Sequence, residues 1–276
     1  MILFTNGCSF TSGTPSPDFV IGSEQYTKQF NEGEYQIDDF KSCYQHVPFS
    51  WPNLLGFDKV FNLGRQGSSN AKIVRSTLNF LDKVTWKTLQ DCVFVICWTM
   101  SNRQEYWYKN IPFKVEPSVP GHYEVMKPQL SNNPENFYTS DDLSSWMLPE
   151  DHKVVPETIN KYEALCRDMS KDIYDTLIQM TVLKNAFDFY GIDRYLYTSV
   201  FWQGTGVNCV DDDFAGYTDW HNPLLNMLPQ DHLVEDTTTI NHIEDVHFSD
   251  GHLNELGNKE FARYIQQEME KRNWLT

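Results

Sequence analysis

Positive charge is scarce in this chain. Lys and Arg number 22 against 38 Asp and Glu, so 276 residues carry a formal net charge of −16. Such a surface repels DNA or RNA unless its basic residues gather on one face; here they are scattered, and no nucleic-acid partner is expected. Apolar runs of the roughly 18 residues needed to span a bilayer are missing too, so no membrane association is expected. The first ten residues, MILFTNGCSF, have no basic segment, and no secretory signal is expected there. The six cysteines, at 8, 43, 92, 97, 166 and 209, contain no C-x-x-C pair. They read as small buried hydrophobes of a reducing, cytoplasmic interior. Internal repeats and low-complexity tracts are lacking. So are the phosphate loop G-x-x-x-x-G-K-[ST], the dinucleotide fingerprint G-x-G-x-x-G, the nucleophile elbow G-x-S-x-G and the zinc helix H-E-x-x-H.

What the chain does have, at 40% hydrophobic residues, is enough apolar material for a well-buried core, read as a single domain over 1–276. Ile2 to Thr5 and Lys59 to Leu63 are short apolar runs ended by Asn6-Gly7 and by Gly64, the pattern of buried strands stopped by turn residues. Ser68 to Asn70 supply an N-cap, and Ile73, Val74, Leu78 and Leu81 then recur at helical spacing to about Val84. Cys92 to Trp98 is a third strand. Arg194 to Trp202 is a fourth, preceded by an amphipathic helix from about Thr158 to Tyr190. From Leu253 to Lys271, Leu256, Phe261, Ile265 and Met269 mark a helix whose stripe lies on the sheet. Strands alternating with helices predict an α/β fold with a parallel sheet.

Two segments break the alternation. Residues 102–156 and 203–248 are rich in Pro, Asn, Asp and aromatics and too long for ordinary connections. Both follow the carboxyl end of a strand, where open parallel sheets place their ligand crevice, so they read as rim insertions that border a substrate, or alternatively as packing or assembly loops. Tyr106, Trp107 and Tyr108 lie in the first, just past Trp98. Rings at that rim either stack on a sugar or acyl group or pack the insertion against the core.

Chemistry gathers at the two ends of the chain. Gly7-Cys8-Ser9-Phe10-Thr11-Ser12-Gly13 follows the first strand directly and sets a serine hydroxyl at its carboxyl end, a suitable place for a nucleophile. Far downstream, His247-Phe248-Ser249-Asp250-Gly251-His252-Leu253-Asn254-Glu255-Leu256-Gly257 sets an imidazole and a carboxylate just before the last helix, as a base and its orienting acid require. His242, Asp245, His247, Asp250 and His252 form a His/Asp tract, but their spacing does not put three imidazoles on one helix face. Asp211-Asp212-Asp213 lacks calcium-loop spacing and reads as a solvated acidic loop. No metal is expected.

These blocks, in this order, resemble the SGNH (GDSL-like) hydrolase superfamily over nearly the whole chain. Asn6-Gly7-Cys8-Ser9-Phe10-Thr11 is similar to its first block, with Ser9 at the nucleophile position. Trp51-Pro52-Asn53-Leu54-Leu55 and Asn62-Leu63-Gly64-Arg65-Gln66-Gly67-Ser68 resemble the second, with Gly67 at the oxyanion-hole glycine. Asp250, His252, Asn254 and Gly257 resemble the fourth, with His252 as base. The third block, strand-Gly-x-Asn-Asp in the family, differs: Met100 takes the asparagine's place and Asn102 stands two residues on. The terminal block also departs from Asp-x-x-His, since Ser249 stands three before His252 and Asp250 two before it. Trp98-Thr99 followed by Arg103 resembles divergent members encoded by bacteriophages.

The resemblance implies a three-layer α/β/α sandwich with a flavodoxin-like central sheet, and hydrolysis of an ester or thioester. Ser9 would attack, His252 would take its proton and Asp250 would steady the imidazolium. Ser9, Gly67 and Asn102 would supply the oxyanion donors. No cofactor is implied, the substrate would be a small-molecule or glycan ester, and a homo-oligomer is compatible with it. The competing expectation is a catalytically silent scaffold of the same fold serving in a larger assembly such as a virion.

Overall fold

The computed structural model describes residues 1–12, 50–64, 68–99, 101, 103–108, 111–115, 117–119, 122–125, 129–130, 169–199, 223–224, 226–234 and 253–275. Four strands form its centre: β1 (Ile2–Asn6), β2 (Lys59–Asn62), β3 (Cys92–Cys97) and β9 (Tyr195–Thr198). They are ordered β2-β1-β3-β9, and all three pairings are parallel. Phe4 stands beside Phe61 and Phe94, and Phe94 beside Tyr195. Beyond β9, Leu233 makes a single parallel bridge to Tyr197, and the Val234 N–H donates to the Tyr197 carbonyl at 2.9 Å. Leu233 and Val234 thus lie beside β9 at that edge.

Every residue of β3 is buried, which is why CVFVIC is a continuous apolar run and not an alternating one: helices cover both faces. On one face, Phe4, Phe61, Phe94, Ile96, Tyr195 and Tyr197 meet three helices. These are α3 (Asn70–Lys83), α4 (Trp86–Gln90) and α5 (Met169–Phe189). Rings carry much of this core: Phe4 lies 4.4 Å from Phe80, and Phe187 lies 5.2 Å from Phe94 and 4.7 Å from Tyr195. On the other face, Leu3, Val60, Val93, Val95, Cys97 and Leu196 meet α2 (Trp51–Leu54) and α6 (Glu255–Lys271). Trp51 sits edge-on to Phe261 there at 5.2 Å. The architecture is therefore a three-layer α/β/α sandwich around a parallel sheet, as expected. Among the described residues, no helix is long and apolar enough to cross a membrane.

Several expectations change in detail. Asn6 is not the turn that stops β1 but its last residue, and it is 1% exposed. Leu256 does not face the sheet; it is exposed, and the buried stripe of α6 is Phe261, Ala262, Ile265 and Met269. The short helices α2 and α4 carry no long period and were not expected. Residues 158–168 of the expected fourth-strand helix lie outside the described residues, as do Trp202 and the neighbouring end of the expected strand.

The first insertion is itself folded. It contains β4 (Gln104–Tyr108), β5 (Ile111–Val115) and β8 (Gln129–Leu130) in one antiparallel sheet, and β6 (Pro117–Val119) with β7 (His122–Val125) in another. It starts at the carboxyl end of β3, and β4 runs beside α3. Residues 131–156 lie outside the described residues, as does most of 203–248, where a 3-10 turn at Gln230–His232 is described. Cys8, Cys92 and Cys97 are buried free thiols, as expected of small hydrophobes.

Candidate active site

The strand order contains one reversal. From β1 the chain crosses to β2 on one side, then returns past β1 to place β3 on the other. The crevice between the carboxyl ends of β1 and β3 is thus the switch point where open α/β sheets bind ligands. α1 (Ser9–Ser12) begins three residues past the end of β1, at that point. The turn into it is tight. The Cys8 carbonyl accepts from the N–H groups of Thr11 (3.0 Å) and Ser12 (3.1 Å). A Cβ on Gly7 would stand 2.8 Å from the Cys97 carbonyl oxygen and closer still to the Thr11 hydroxyl, so only glycine fits. A Cβ on Gly64 would likewise stand 2.7 Å from the Ser12 nitrogen, so the exit of β2 packs directly on α1.

Three asparagine amides fasten this rim. Asn6 Nδ2 donates to the Ile73 carbonyl (3.0 Å) and lies 2.8 and 2.9 Å from the hydroxyls of Ser76 and Thr77 on α3, while its Oδ1 accepts from the Gly7 N–H at 2.9 Å. Asn62 Nδ2 donates to the Thr11 carbonyl (2.8 Å), and its Oδ1 accepts from the Gly64 N–H (2.9 Å). Asn70, the first residue of α3, holds both backbone polar groups of Thr99: Oδ1 accepts from its N–H (2.9 Å) and Nδ2 donates to its carbonyl (3.2 Å). The same amide reaches the Thr176 hydroxyl on α5 at 3.2 Å. Ser69 caps α3 as expected, accepting from the Lys72 N–H at 3.1 Å.

The rim also holds unsatisfied groups. Among the described residues, the hydroxyls of Thr5, Thr11 and Thr198 and the indole N–H of Trp98 are buried and have no hydrogen-bond partner. Burial pushes the Cys92 thiol up to about 12, so it stays protonated at neutral pH and is no nucleophile. Burial likewise raises the Tyr197 phenol, which donates to the Met180 carbonyl at 3.1 Å.

α6 brings Leu253 and Asn254 to the same edge. Near its carboxyl end, Arg272 donates through Nε and Nη2 to the Asp231 carbonyl at 3.1 and 2.9 Å. The next residue, His232, bonds through Nδ1 to the carbonyl of Tyr195, the first residue of β9 (2.8 Å), and stacks on the Tyr195 ring at 4.0 Å. That end of α6 therefore lies at the amino edge of the sheet. A helix of 17 residues is about 25 Å long, about twice the span of β9, so its amino end lies at the carboxyl edge. Asn254 caps that end, accepting from the Gly257 N–H at 3.0 Å. Asn258 ties it down: Oδ1 accepts from the Trp51 N–H, and Nδ2 donates to the carbonyls of Leu253 and Asn254, all at 3.0 Å.

Of the expected site residues, Ser9 is placed as the first residue of α1. Gly67, Asn102, Asp250 and His252 lie outside the described residues, as do His242, Asp245, His247 and Asp211 to Asp213. Among the described residues, no three His, Cys, Asp or Glu side chains gather as metal ligands would.

No family model matches the chain, and no curated protein matches it. The chain is similar to the crystal structure of a member of the lipolytic protein G-D-S-L family from Veillonella parvula, with 11% identity, coverage of 98% of this chain and 97% of that one, and a TM-score of 0.41.

The framing amides Asn6, Asn62 and Asn70 escaped the sequence reading. Asn6-Gly7 resembles any turn, yet a signal existed on the partner helix: Ser76 and Thr77 fall between Ile73 and Phe80 on the buried side of α3. Polar residues set in an apolar stripe need a buried partner.

Proposed function

We propose that this chain is a serine ester hydrolase of the SGNH type, similar to divergent bacteriophage-encoded members, and that it deacylates an O-acylated glycan. The observation that carries the reading is the start of α1 at Ser9, on the switch-point end of β1. In the cycle, the Ser9 hydroxyl attacks the ester carbonyl while His252 takes its proton, and Asp250 orients and stabilises the imidazolium. The N–H groups of Ser9 and Gly67, with the Asn102 side chain, hold the oxyanion. His252 returns the proton to the leaving alcohol. Water then attacks the acyl-enzyme, with His252 again as base, and releases the acid. The entry of α6 at the carboxyl edge supports the choice of His252, which immediately precedes Leu253. An acidic chain with aromatic-rich insertions suits a neutral glycan ester better than a polyanion.

The test is a fluorophosphonate probe followed by peptide mass spectrometry. Modification of Ser9, lost in Ser9→Ala, is expected; a chain that takes no label, or takes it elsewhere, refutes the reading.

A silent scaffold in a larger assembly is the second reading, and one observation favours it. Tyr174, Ile178, Val182 and Phe189, 39%, 39%, 44% and 81% exposed, share the outer side of α5, an apolar stripe of the kind that marks contact surfaces. No labelling together with stable higher-order association would support it.

A further inference from the structure

We infer that Asn6 is a positioning residue of the candidate site: its buried amide, anchored on α3, sets the turn from which α1 and Ser9 leave the sheet. This rests on the reading of Ser9 as nucleophile. The amide spends both ends on fixing that turn. Its two Nδ2 protons face three acceptors on α3, the Ile73 carbonyl and the hydroxyls of Ser76 and Thr77, at 2.8–3.0 Å. With the amide plane fixed in this way, Oδ1 points at the Gly7 N–H, 2.9 Å away.

Stability alone does not call for an amide here. Asn6 shares its side of β1 with Phe4, in a layer otherwise built from Phe61, Phe94 and Ile96. An apolar residue would fill the place without the desolvation of the amide nitrogen and oxygen, and a satisfied buried hydrogen bond nets only about 1 kcal/mol. What the amide adds is direction. Gly7 is held on one side by Asn6 Oδ1 and on the other by β3, where the Cys97 carbonyl leaves no room for a Cβ. α3 also grips the end of β3 through Asn70 and Thr99. One helix therefore sets both lips of the β1/β3 crevice, and Asn6 is its link to the serine side.

The experiment compares full-length wild type, Asn6→Ala, Asn6→Asp and a core variant, Phe187→Leu, which lowers stability without touching the rim. Two measurements are made on each: p-nitrophenyl acetate kinetics, and amide hydrogen exchange of residues 7–12 against residues 70–83. In Asn6→Ala, kcat is expected to fall on the order of 10- to 100-fold with KM within about twofold, as a displaced nucleophile requires. Asn6→Asp keeps the acceptor for the Gly7 N–H, and unlike a site lined by carbonyls alone this one offers the Ser76 and Thr77 hydroxyls, which can turn to donate to the second oxygen, so the variant recovers part of kcat. It also replaces Asn6→Ala as the deciding variant if the latter does not fold. Exchange protection should drop in residues 7–12 and persist in 70–83. Phe187→Leu keeps kcat. Wild-type kcat in the folded Asn6 variants, or a loss no larger than in Phe187→Leu, overturns the inference. If wild type itself neither hydrolyses the ester nor takes a fluorophosphonate label, the hydrolase reading fails separately, and exchange decides: deprotection confined to 7–12 supports the positioning role, and unchanged protection overturns it.

Discussion

Removing the amide of Asn258, a polar residue on the buried face of α6, should loosen the entry of that helix more than truncating any other of its polar side chains. Asn258 is 1% exposed and joins three backbone groups on two segments far apart in sequence, Trp51 on one side and Leu253 and Asn254 on the other. In Asn258→Ala the Asn254 carbonyl keeps its helical bond from the residue 258 N–H (2.9 Å in the native chain). The Trp51 N–H and the Leu253 carbonyl lose the Asn258 amide as their partner, and both residues are buried. At roughly 1–3 kcal/mol for each of the two stranded groups, the loss should be about 2–6 kcal/mol. Asn258→Asp should do no better, because a carboxylate oxygen would face two carbonyls in place of an N–H donor. Urea unfolding followed by tryptophan fluorescence measures this directly, with Trp51 packed on Phe261 as a local reporter. The same variant should lower kcat on a short-chain ester, since the Leu253 carbonyl that Asn258 holds lies one residue beyond His252. A stability loss below about 1 kcal/mol would refute the claim that this amide holds α2 to α6.

Other outcomes follow from the same geometry. Gly7→Ala forces a methyl against the Cys97 carbonyl and the Thr11 side chain, so it should cost about 2 kcal/mol or more and abolish fluorophosphonate labelling, checked by thermal melting and mass spectrometry. Glu268 is partly buried, which would raise its carboxyl pKa, but its hydrogen bonds with Lys271 and Arg272 and their charges outweigh burial and hold it below the ordinary 4.5. A lowered folded-state pKa means stability that is present above that ordinary value and is lost as pH falls through the folded value. Glu268→Gln should therefore destabilise at pH 7, with the gap to wild type closing below pH 4.5 in urea melts; a gap independent of pH counts against it. Replacing residues 104–156, which leaves Asn102 in place, by a short Gly/Ser link should reduce activity on a bulky ester more than on p-nitrophenyl acetate, because the small ester needs only the triad and oxyanion donors. An unchanged ratio of the two rates would assign the insertion to assembly or stability.

By itself the sequence determined the four central strands, helices α3 and α6, and the parallel α/β class, because these depend on short-range facts: unbroken apolar runs, a serine cap and helical spacing. It also determined where the candidate nucleophile lies, since a strand followed at once by Gly-Cys-Ser leaves Ser9 at the carboxyl end. Tertiary structure decided what depends on partners distant in the chain. The strand order β2-β1-β3-β9, and with it the switch point beside α1, is set by which neighbour each strand pairs with. Asn6 became a buried anchor instead of an ordinary turn because Ile73, Ser76 and Thr77, about seventy residues on, offer it acceptors. Leu256 went to solvent because the face of α6 is chosen by the packing of Phe261, Ile265 and Met269 on the sheet, and one leucine off that line cannot turn the helix.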